Sequence, residues 1–264
     1  MKTTHSSLLA AIALFGLPVS GLAAVVGFDS FSYPDGPISG QNGGIGWDYG
    51  SPGSPSAWSG SVNVSGGSLL TGGFNGAVRD YGSAGGGSAF QGSGIVYYRF
   101  ELTLGSALPN YFGLSSMDFG SERIKFGRWW EGGTFGVEFD NGSGWTQYGS
   151  SISITPGGTY TLIGVLDFDN DRLALYVNPT GSSFYDPTSG ANNADAGGVY
   201  TMGNWSTGMR FESGGGGDDV AWHEVTIGTS PADVGLLAIP EPSTLALFGI
   251  GMLSLAGWRR VRRG

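Results

Sequence analysis

Two acidic side chains stand close together in the stretch TFGVEFD, residues 134–140. Glu138 and Asp140 are two positions apart, so both lie on one face of a β-strand. Glycoside hydrolases use such carboxylate pairs, one as acid or base and the other as nucleophile or base. The next position on this face is Gly142, so a third carboxylate is missing. We interpret the pair as a solvated strand face and predict no catalytic residue; the alternative is a glycan-active hydrolase or lyase.

Three aspartates alternate with other residues in the stretch DFDND: Asp167, Asp169 and Asp171. Their spacing is that of the first three ligands of an EF-hand calcium loop. An EF-hand is excluded, because Arg172 and Asn178 stand where that loop needs a glycine and a glutamate. Two interpretations stay open: a calcium site of another kind that uses these aspartates, or an Asp/Asn-rich hairpin turn. No other cofactor is predicted.

The chain lacks residues that several hydrolytic and metal sites require. It contains no cysteine, and its two histidines are His5, near the N-terminus, and His223. A serine–histidine–aspartate triad needs a histidine as its base. His5 is lost with the predicted signal peptide, which leaves His223. The chain has no Gly-x-Ser-x-Gly motif to supply the nucleophile of an α/β-hydrolase triad. Three-histidine zinc sites and thiol chemistry are excluded outright. We predict that the protein is not an enzyme.

A pair of tryptophans in the stretch IKFGRWWE, residues 124–131, gives the strongest indication of ligand binding. Phe126 sets the inward phase of a predicted strand, so continued alternation puts Trp130 inside and Trp129 outside. A bulge at Gly127 would reverse this phase. An exposed indole can stack against the apolar face of a sugar ring, and we predict a sugar contact at Trp129. The other tryptophans are expected in the core or in turns: Trp47, Trp58, Trp145, Trp205 and Trp222.

Strands, rather than helices, are expected to position these side chains. The 264 residues include 51 glycines and only 12% charged residues, and short β-type runs alternate with turns. Residues 95–104 and 134–140 alternate apolar and polar side chains, which predicts strands with one buried face. Residues 159–168 are apolar on both faces, which indicates a central strand that pairs with residues 173–177. The many short strands predict one all-β sandwich or jelly roll over residues 25–234.

The N-terminal end has the composition of a targeting segment. Lys2, an apolar run over residues 8–17 and small residues up to Ala24 predict a cleaved secretory signal peptide over residues 1–24. Beyond it, residues 25–234 contain 7 Lys and Arg but 20 Asp and Glu, which gives a net charge of −13. Such an acidic domain repels phosphates, so we expect no nucleic-acid partner.

The C-terminal end, residues 239–264, reads IPEPSTLALFGIGMLSLAGWRRVRRG. Pro240, Glu241 and Pro242 form an extended segment, because each residue before a proline avoids the helical region. Residues 244–258 carry no charge and predict a helix of about 22 Å, which is short for a membrane core of ~30 Å. A basic stop follows, formed by Arg259, Arg260, Arg262 and Arg263.

This order of motif, helix and basic end closely resembles the PEP-CTERM sorting signal of Gram-negative bacteria. The resemblance implies that an exosortase, a membrane transpeptidase-like enzyme, recognises the tail, and that the protein is linked to exopolysaccharide. It also implies an inner-membrane intermediate held through the helix over residues 244–258, followed by the cell surface or the extracellular matrix.

Three further stretches resemble concanavalin A-like (laminin G-like) jelly-roll domains: residues 28–47, 173–179 and 222–234. In the last stretch His223 occupies a position where that family usually has aspartate, whereas Glu224 matches. The resemblance implies a fold rather than an activity, because this fold serves lectins, glucanases and adhesive modules alike. We therefore predict an exported envelope or matrix protein with a structural or adhesive role, able to bind polysaccharide.

Overall fold

The computed structural model describes residues 25–47, 56–81, 90–91, 93–118, 121–140, 144–181, 183, 185, 194–197 and 205–237. The predicted signal peptide, residues 1–24, and the C-terminal segment, residues 239–264, lie outside this part of the chain. Among the described residues, no helix has the length and apolar character needed to cross a membrane.

Short strands account for nearly all of the regular structure in the described ranges. In chain order they are β1 (Val25–Asp29), β2 (Gly36–Pro37), β3 (Ser59–Gly60), β4 (Asn63–Ser65), β5 (Ser68–Thr71), β6 (Gly76–Asp80), β7 (Phe90–Gln91), β8 (Ile95–Thr103), β9 (Tyr111–Asp118), β10 (Ser121–Arg128), β11 (Thr134–Asp140), β12 (Trp145–Ser153), β13 (Thr159–Asp167), β14 (Arg172–Val177), β15 (Ala194–Gly197), β16 (Trp205–Ser206), β17 (Gly208–Gly214) and β18 (Val220–Gly228). A 3₁₀-helix over Pro231–Val234 follows the last strand.

Within the described residues the strands form two large antiparallel sheets. A nine-stranded sheet has the order β15-β14-β13-β8-β18-β5-β4-β2, with β1 also paired to β18. A seven-stranded sheet has the order β12-β11-β10-β9-β17-β6-β3. Among the described strands, the chain passes directly from one sheet to the other six times: β2 to β3, β3 to β4, β5 to β6, β8 to β9, β12 to β13 and β17 to β18. The predicted all-β sandwich of jelly-roll type is confirmed.

The main core lies between the two sheets. Phe211 of the seven-stranded sheet contacts Trp222 of the nine-stranded sheet, with ring centroids 4.6 Å apart. Phe135 and Tyr160 meet across the same interface at 4.7 Å. The alternation predicted for residues 95–104 and 134–140 is confirmed, because the inward side chains of β8 and β11 are buried. Burial of large aromatic side chains supplies the hydrophobic stabilisation of a chain that has no cysteine.

A second, smaller core lies on the outer face of the nine-stranded sheet. Ile163, Val165 and Tyr176 pack there under Val234 and Leu236 from the segment after β18. β13 is therefore buried on both faces and lies between β8 and β14. This arrangement confirms the prediction of a central strand paired with residues 173–177.

Candidate functional site

A cleft of ≈ 280 Å³ opens on the outer face of the seven-stranded sheet, and we call it the outer cleft. Five strands and the turn after β10 contribute to it. Its lining combines aromatic rings with acidic and basic groups: Tyr111, Glu122, Lys125, Trp130, Glu138, Trp145 and Glu212.

Glycines form the floor of this face. Four of them stand opposite one another on neighbouring strands, with Gly127 paired to both Gly113 and Gly136, and Gly136 paired to Gly149. They point outward, because Phe126, one position earlier on β10, points into the core. Because these positions are glycines, no side chains project from a band of the outer face that crosses β9 to β12.

Neighbouring side chains lie flat over this glycine band. A Cβ atom on Gly136 would stand 2.1 Å from Cζ3 of Trp129, and one on Gly113 would stand 2.8 Å from Cγ of Lys125. Glu212 continues the same row on β17, directly opposite Gly113 on one side and Gly76 on the other. The missing side chains therefore leave room for Trp129, Lys125 and Glu212 on the sheet surface.

The charged groups of the outer cleft form one connected network. Lys125 Nζ lies 2.5 Å from Glu212 Oε1 and 3.9 Å from Glu138 Oε2. The Arg210 guanidinium lies 2.7 Å from Glu122 and 3.3 Å from Glu212. The Glu212 side chain is only 4% exposed. A carboxylate this buried needs partners, and the two cations supply them.

Burial and the charges of the network together raise the pKa of Glu122, a member of the network, and of the adjacent Tyr111. Burial raises the pKa of Glu122, and the nearby Glu212 charge raises it further, while Arg210 acts in the opposite direction. Burial also raises the pKa of Tyr111, with Glu212 again contributing. Glu122 therefore holds a proton more readily than an exposed glutamate does.

Exposed aromatic rings border the charged side chains of the outer cleft. Trp130 is 52% exposed and stacks on Tyr111, with centroids 5.9 Å apart and an interplanar angle of 26°. Phe74 contacts both rings, with its centroid 6.3 Å from that of Trp130 and 6.1 Å from that of Tyr111. Trp145 is 44% exposed, and Lys125 Nζ lies 5.8 Å from its ring and 4.7 Å from that of Tyr111. Flat apolar faces next to hydrogen-bonding groups are what a sugar ring requires.

The predicted orientation is correct for Trp129, which lies on the outer face of the sheet, and wrong for Trp130. Trp130 was expected inside, yet it is the exposed member, and Trp129 is half-buried over Gly136 and Gly149. The alternation of β10 ends at Arg128 because a turn follows, in which Glu131 has a positive φ of 54°. The geometry thus favours Trp130 over Trp129 as a platform for a sugar.

The other tryptophans were expected in the core or in turns, and the structure agrees for three of them. Trp47, Trp58 and Trp222 are buried, as predicted. Trp145 was expected in the core or in a turn, but it begins β12 and borders the outer cleft. The side chain of Trp205 lies outside the described residues.

The carboxylate pair on β11 has a different setting from the one predicted. Glu138 is not simply solvated, because it lines the outer cleft and accepts a hydrogen bond from Gln147 Nε2 at 2.9 Å. Further carboxylates reach the same cleft from other strands, Glu122 from β10 and Glu212 from β17. A strand-by-strand pattern could not find them, since only the sheet order brings β17 beside β9.

The three aspartates lie at the end of β13, which Asp167 terminates, and in the turn that follows it, which contains Asp169 and Asp171. Asp167 is buried and accepts hydrogen bonds from the Tyr185 hydroxyl at 2.6 Å and from Asn170 Nδ2 at 2.8 Å. Asp169 accepts one from the backbone N–H of Gly94 at 2.8 Å. In the described part of the chain, no three His, Asp or Glu side chains are grouped so that they could hold a metal ion. These contacts fit the hairpin-turn interpretation, and calcium binding stays a prediction.

His223 and Glu224 lie on β18, in the other sheet. His223 bonds through Nδ1 to Ser68 Oγ at 2.9 Å and through Nε2 to Thr103 Oγ1 at 2.8 Å. Glu224 forms an ion pair with Arg99. Neither side chain lines the outer cleft.

Comparison with known families identifies the C-terminal end. Residues 238–263 match the PEP-CTERM protein-sorting motif. The predicted sorting motif Pro240, Glu241 and Pro242 lies within this match, so the resemblance is confirmed for the tail. No curated protein sequence matches the chain.

Solved structures similar to this chain include several sugar-associated domains. Domain 4 of AbnA, a GH43 extracellular arabinanase from Geobacillus stearothermophilus in complex with arabinotriose, has 14% identity and a TM-score of 0.49, covering 81% of this chain and 97% of that one. The Trypanosoma rangeli sialidase in complex with the inhibitor DANA has 13% identity and a TM-score of 0.49, covering 80% and 32%. Galectin LEC-6 of Caenorhabditis elegans has 19% identity and a TM-score of 0.37, covering 57% and 94%. At these values the likeness carries no conclusion about ligands.

Proposed function

We propose that this chain is an envelope protein that binds polysaccharide in its outer cleft. Its PEP-CTERM motif indicates export and sorting by an exosortase-type enzyme to the bacterial cell envelope. On this proposal the sorted domain reaches the cell surface or extracellular matrix of a Gram-negative bacterium. There it has a structural or adhesive role, and exopolysaccharide is its partner.

The observation that carries the proposal is the position of Trp130. Its indole is 52% exposed, stacks on Tyr111, and borders a cleft that is lined by charged side chains. A ring fixed in this way offers an apolar face without a large loss of side-chain entropy on binding. The glutamates beside it supply hydrogen-bonding groups for sugar hydroxyls.

Substitution of Trp130 tests the proposal. We expect Trp130→Ala to weaken binding of neutral oligosaccharides by roughly tenfold or more, because an exposed aromatic anchor is lost. Isothermal titration calorimetry of the purified full-length protein in neutral detergent measures this change. Ile45→Ala is the matched control, since Ile45 is 69% exposed and does not line the cleft.

Trp129→Ala separates the two tryptophans. If binding is lost in Trp129→Ala but kept in Trp130→Ala, the sequence-based prediction of the platform is correct and the assignment to Trp130 is wrong. Equal affinities in wild type and in both variants would show that the outer cleft is not the binding site.

A glycan-active hydrolase is the second candidate, and the carboxylates of the outer cleft favour it. Glu122, Glu138 and Glu212 line the cleft from three strands, and the raised pKa of Glu122 suits a proton donor. Release of new reducing ends from a bound polysaccharide, lost in Glu122→Gln, would support this candidate. An unchanged chain length after prolonged incubation would favour binding alone.

A further inference from the structure

We infer that the outer cleft selects a polysaccharide with protonated amino groups and rejects polyuronates, an inference that rests on the proposed polysaccharide binding. The argument depends on which charges of the cleft are already used within the protein and which remain for a ligand.

Two cations pair with the carboxylates of the cleft: Lys125, which lines it, and Arg210, which lies beside it. Lys125 Nζ lies 2.5 Å from Glu212 Oε1. Both terminal nitrogens of Arg210 lie beside glutamates, one on Glu122 and the other on Glu212. A uronate would have to share either cation with a glutamate that already pairs with it, and Glu212 needs both cations because its charge is buried. A sugar carboxylate therefore finds no unpaired cation in the cleft.

Glu138 has one carboxylate oxygen that could bond to a ligand. Glu138 uses Oε1 to accept the hydrogen bond from Gln147, whereas Oε2 lies 3.9 Å from Lys125 Nζ, beyond hydrogen-bonding distance. Glu138 and Trp145 both line the cleft. An ammonium group can thus bond to a carboxylate and lie against an exposed indole in the same place.

The net negative charge of the cleft and of the domain also favours a cationic polysaccharide, and it acts over longer distances than a hydrogen bond. Three glutamates face two cations in the network, so it keeps one negative charge. The predicted exported domain, residues 25–234, has a net charge of −13. This field attracts a cationic chain and repels a polyanionic one, and salt weakens both effects.

The test compares three oligosaccharides of equal length by titration calorimetry of the full-length protein in neutral detergent. We expect the glucosamine oligomer to bind roughly tenfold more tightly than the N-acetylglucosamine oligomer, as for a hydrogen bond to a charged group. The galacturonate oligomer should bind more weakly than either. Added salt should reduce the preference for glucosamine over its N-acetylated form.

Two glutamine variants locate the effect. In Glu138→Gln the affinity ratio between the glucosamine and N-acetylglucosamine oligomers should fall to about one. Glu224→Gln removes the same charge from the opposite sheet, so the ratio should stay as in the wild type. If Glu138→Gln does not fold, as judged by circular dichroism, the ratio and its salt dependence in wild type still decide the matter.

The outcomes distinguish this inference from the proposed function. Galacturonate binding as tight as glucosamine binding, or equal affinity for the two amino-sugar oligomers, would overturn the inference while polysaccharide binding stands. Absence of binding to all three, together with no binding to a neutral glucan, would overturn both.

Discussion

At the scale of single residues, the most constrained charge is that of Arg79. It is fully buried, pairs with Asp29 at 2.7 Å, and lies 4.2 Å from the ring of Trp47. Asp29 also accepts hydrogen bonds from Trp58 at 2.8 Å and from Tyr33. We expect Asp29→Asn to lower the free energy of unfolding by about 3–5 kcal/mol, because it leaves a buried charge uncompensated. Urea denaturation measures this loss.

An exposed ion pair provides the control for this prediction. Glu101 pairs with Arg99, and both side chains are about one quarter to one third exposed. Glu101→Gln should change the free energy of unfolding by less than about 1 kcal/mol. Equal effects of the two substitutions would show that burial of the Arg79 pair does not matter for stability.

At the scale of elements, the row of glycines across β9 to β12 shapes the sheet face. We expect Gly136→Ala to lower the free energy of unfolding by about 1–3 kcal/mol, because the new methyl group would overlap the Trp129 ring. The matched control is Gly133→Ala, since a Cβ atom at Gly133 meets nothing within 4 Å. Thermal unfolding followed by circular dichroism compares them. A Gly136→Ala variant as stable as Gly133→Ala would show that Trp129 does not depend on this floor.

At the scale of the whole molecule, both cores hold tyrosines whose hydroxyl groups resist ionisation. Burial is the main cause that raises the pKa of each of them: Tyr33, Tyr81, Tyr97, Tyr98 and Tyr185. In the unfolded chain tyrosine ionises near pH 10, so above that pH the native state holds more protons than the unfolded state. Stability should therefore be full below about pH 10 and fall as the pH rises further.

Urea denaturation between about pH 8 and about pH 11 measures this dependence. Tyr97→Phe should make the loss of stability less steep, because it removes one such hydroxyl while a ring remains to pack against Tyr185. A free energy of unfolding that stays constant over this range would contradict the prediction.

Local patterns were sufficient to predict the architecture. Alternation in β8 and β11, apolar character on both faces of β13, and frequent turns are properties of neighbouring residues, and they specify strands and a two-sheet sandwich. The sorting motif at residues 238–263 is likewise a contiguous signal. These features depend on short stretches of chain, so the sequence alone determined them.

The outer cleft could not be predicted in this way, because its residues come from strands that are distant in the chain. Glu212 meets Lys125 only because β17 pairs with β9, and Gly113, Gly127 and Gly136 form a row only through the register of three strands. The alternation of β10 also stops at a turn, which exposes Trp130 instead of Trp129. Strand order, register and the point where a strand ends are set by packing across the whole domain. The sequence by itself therefore determined the fold class and the sorting motif, whereas only the tertiary structure decided which side chains share the outer cleft.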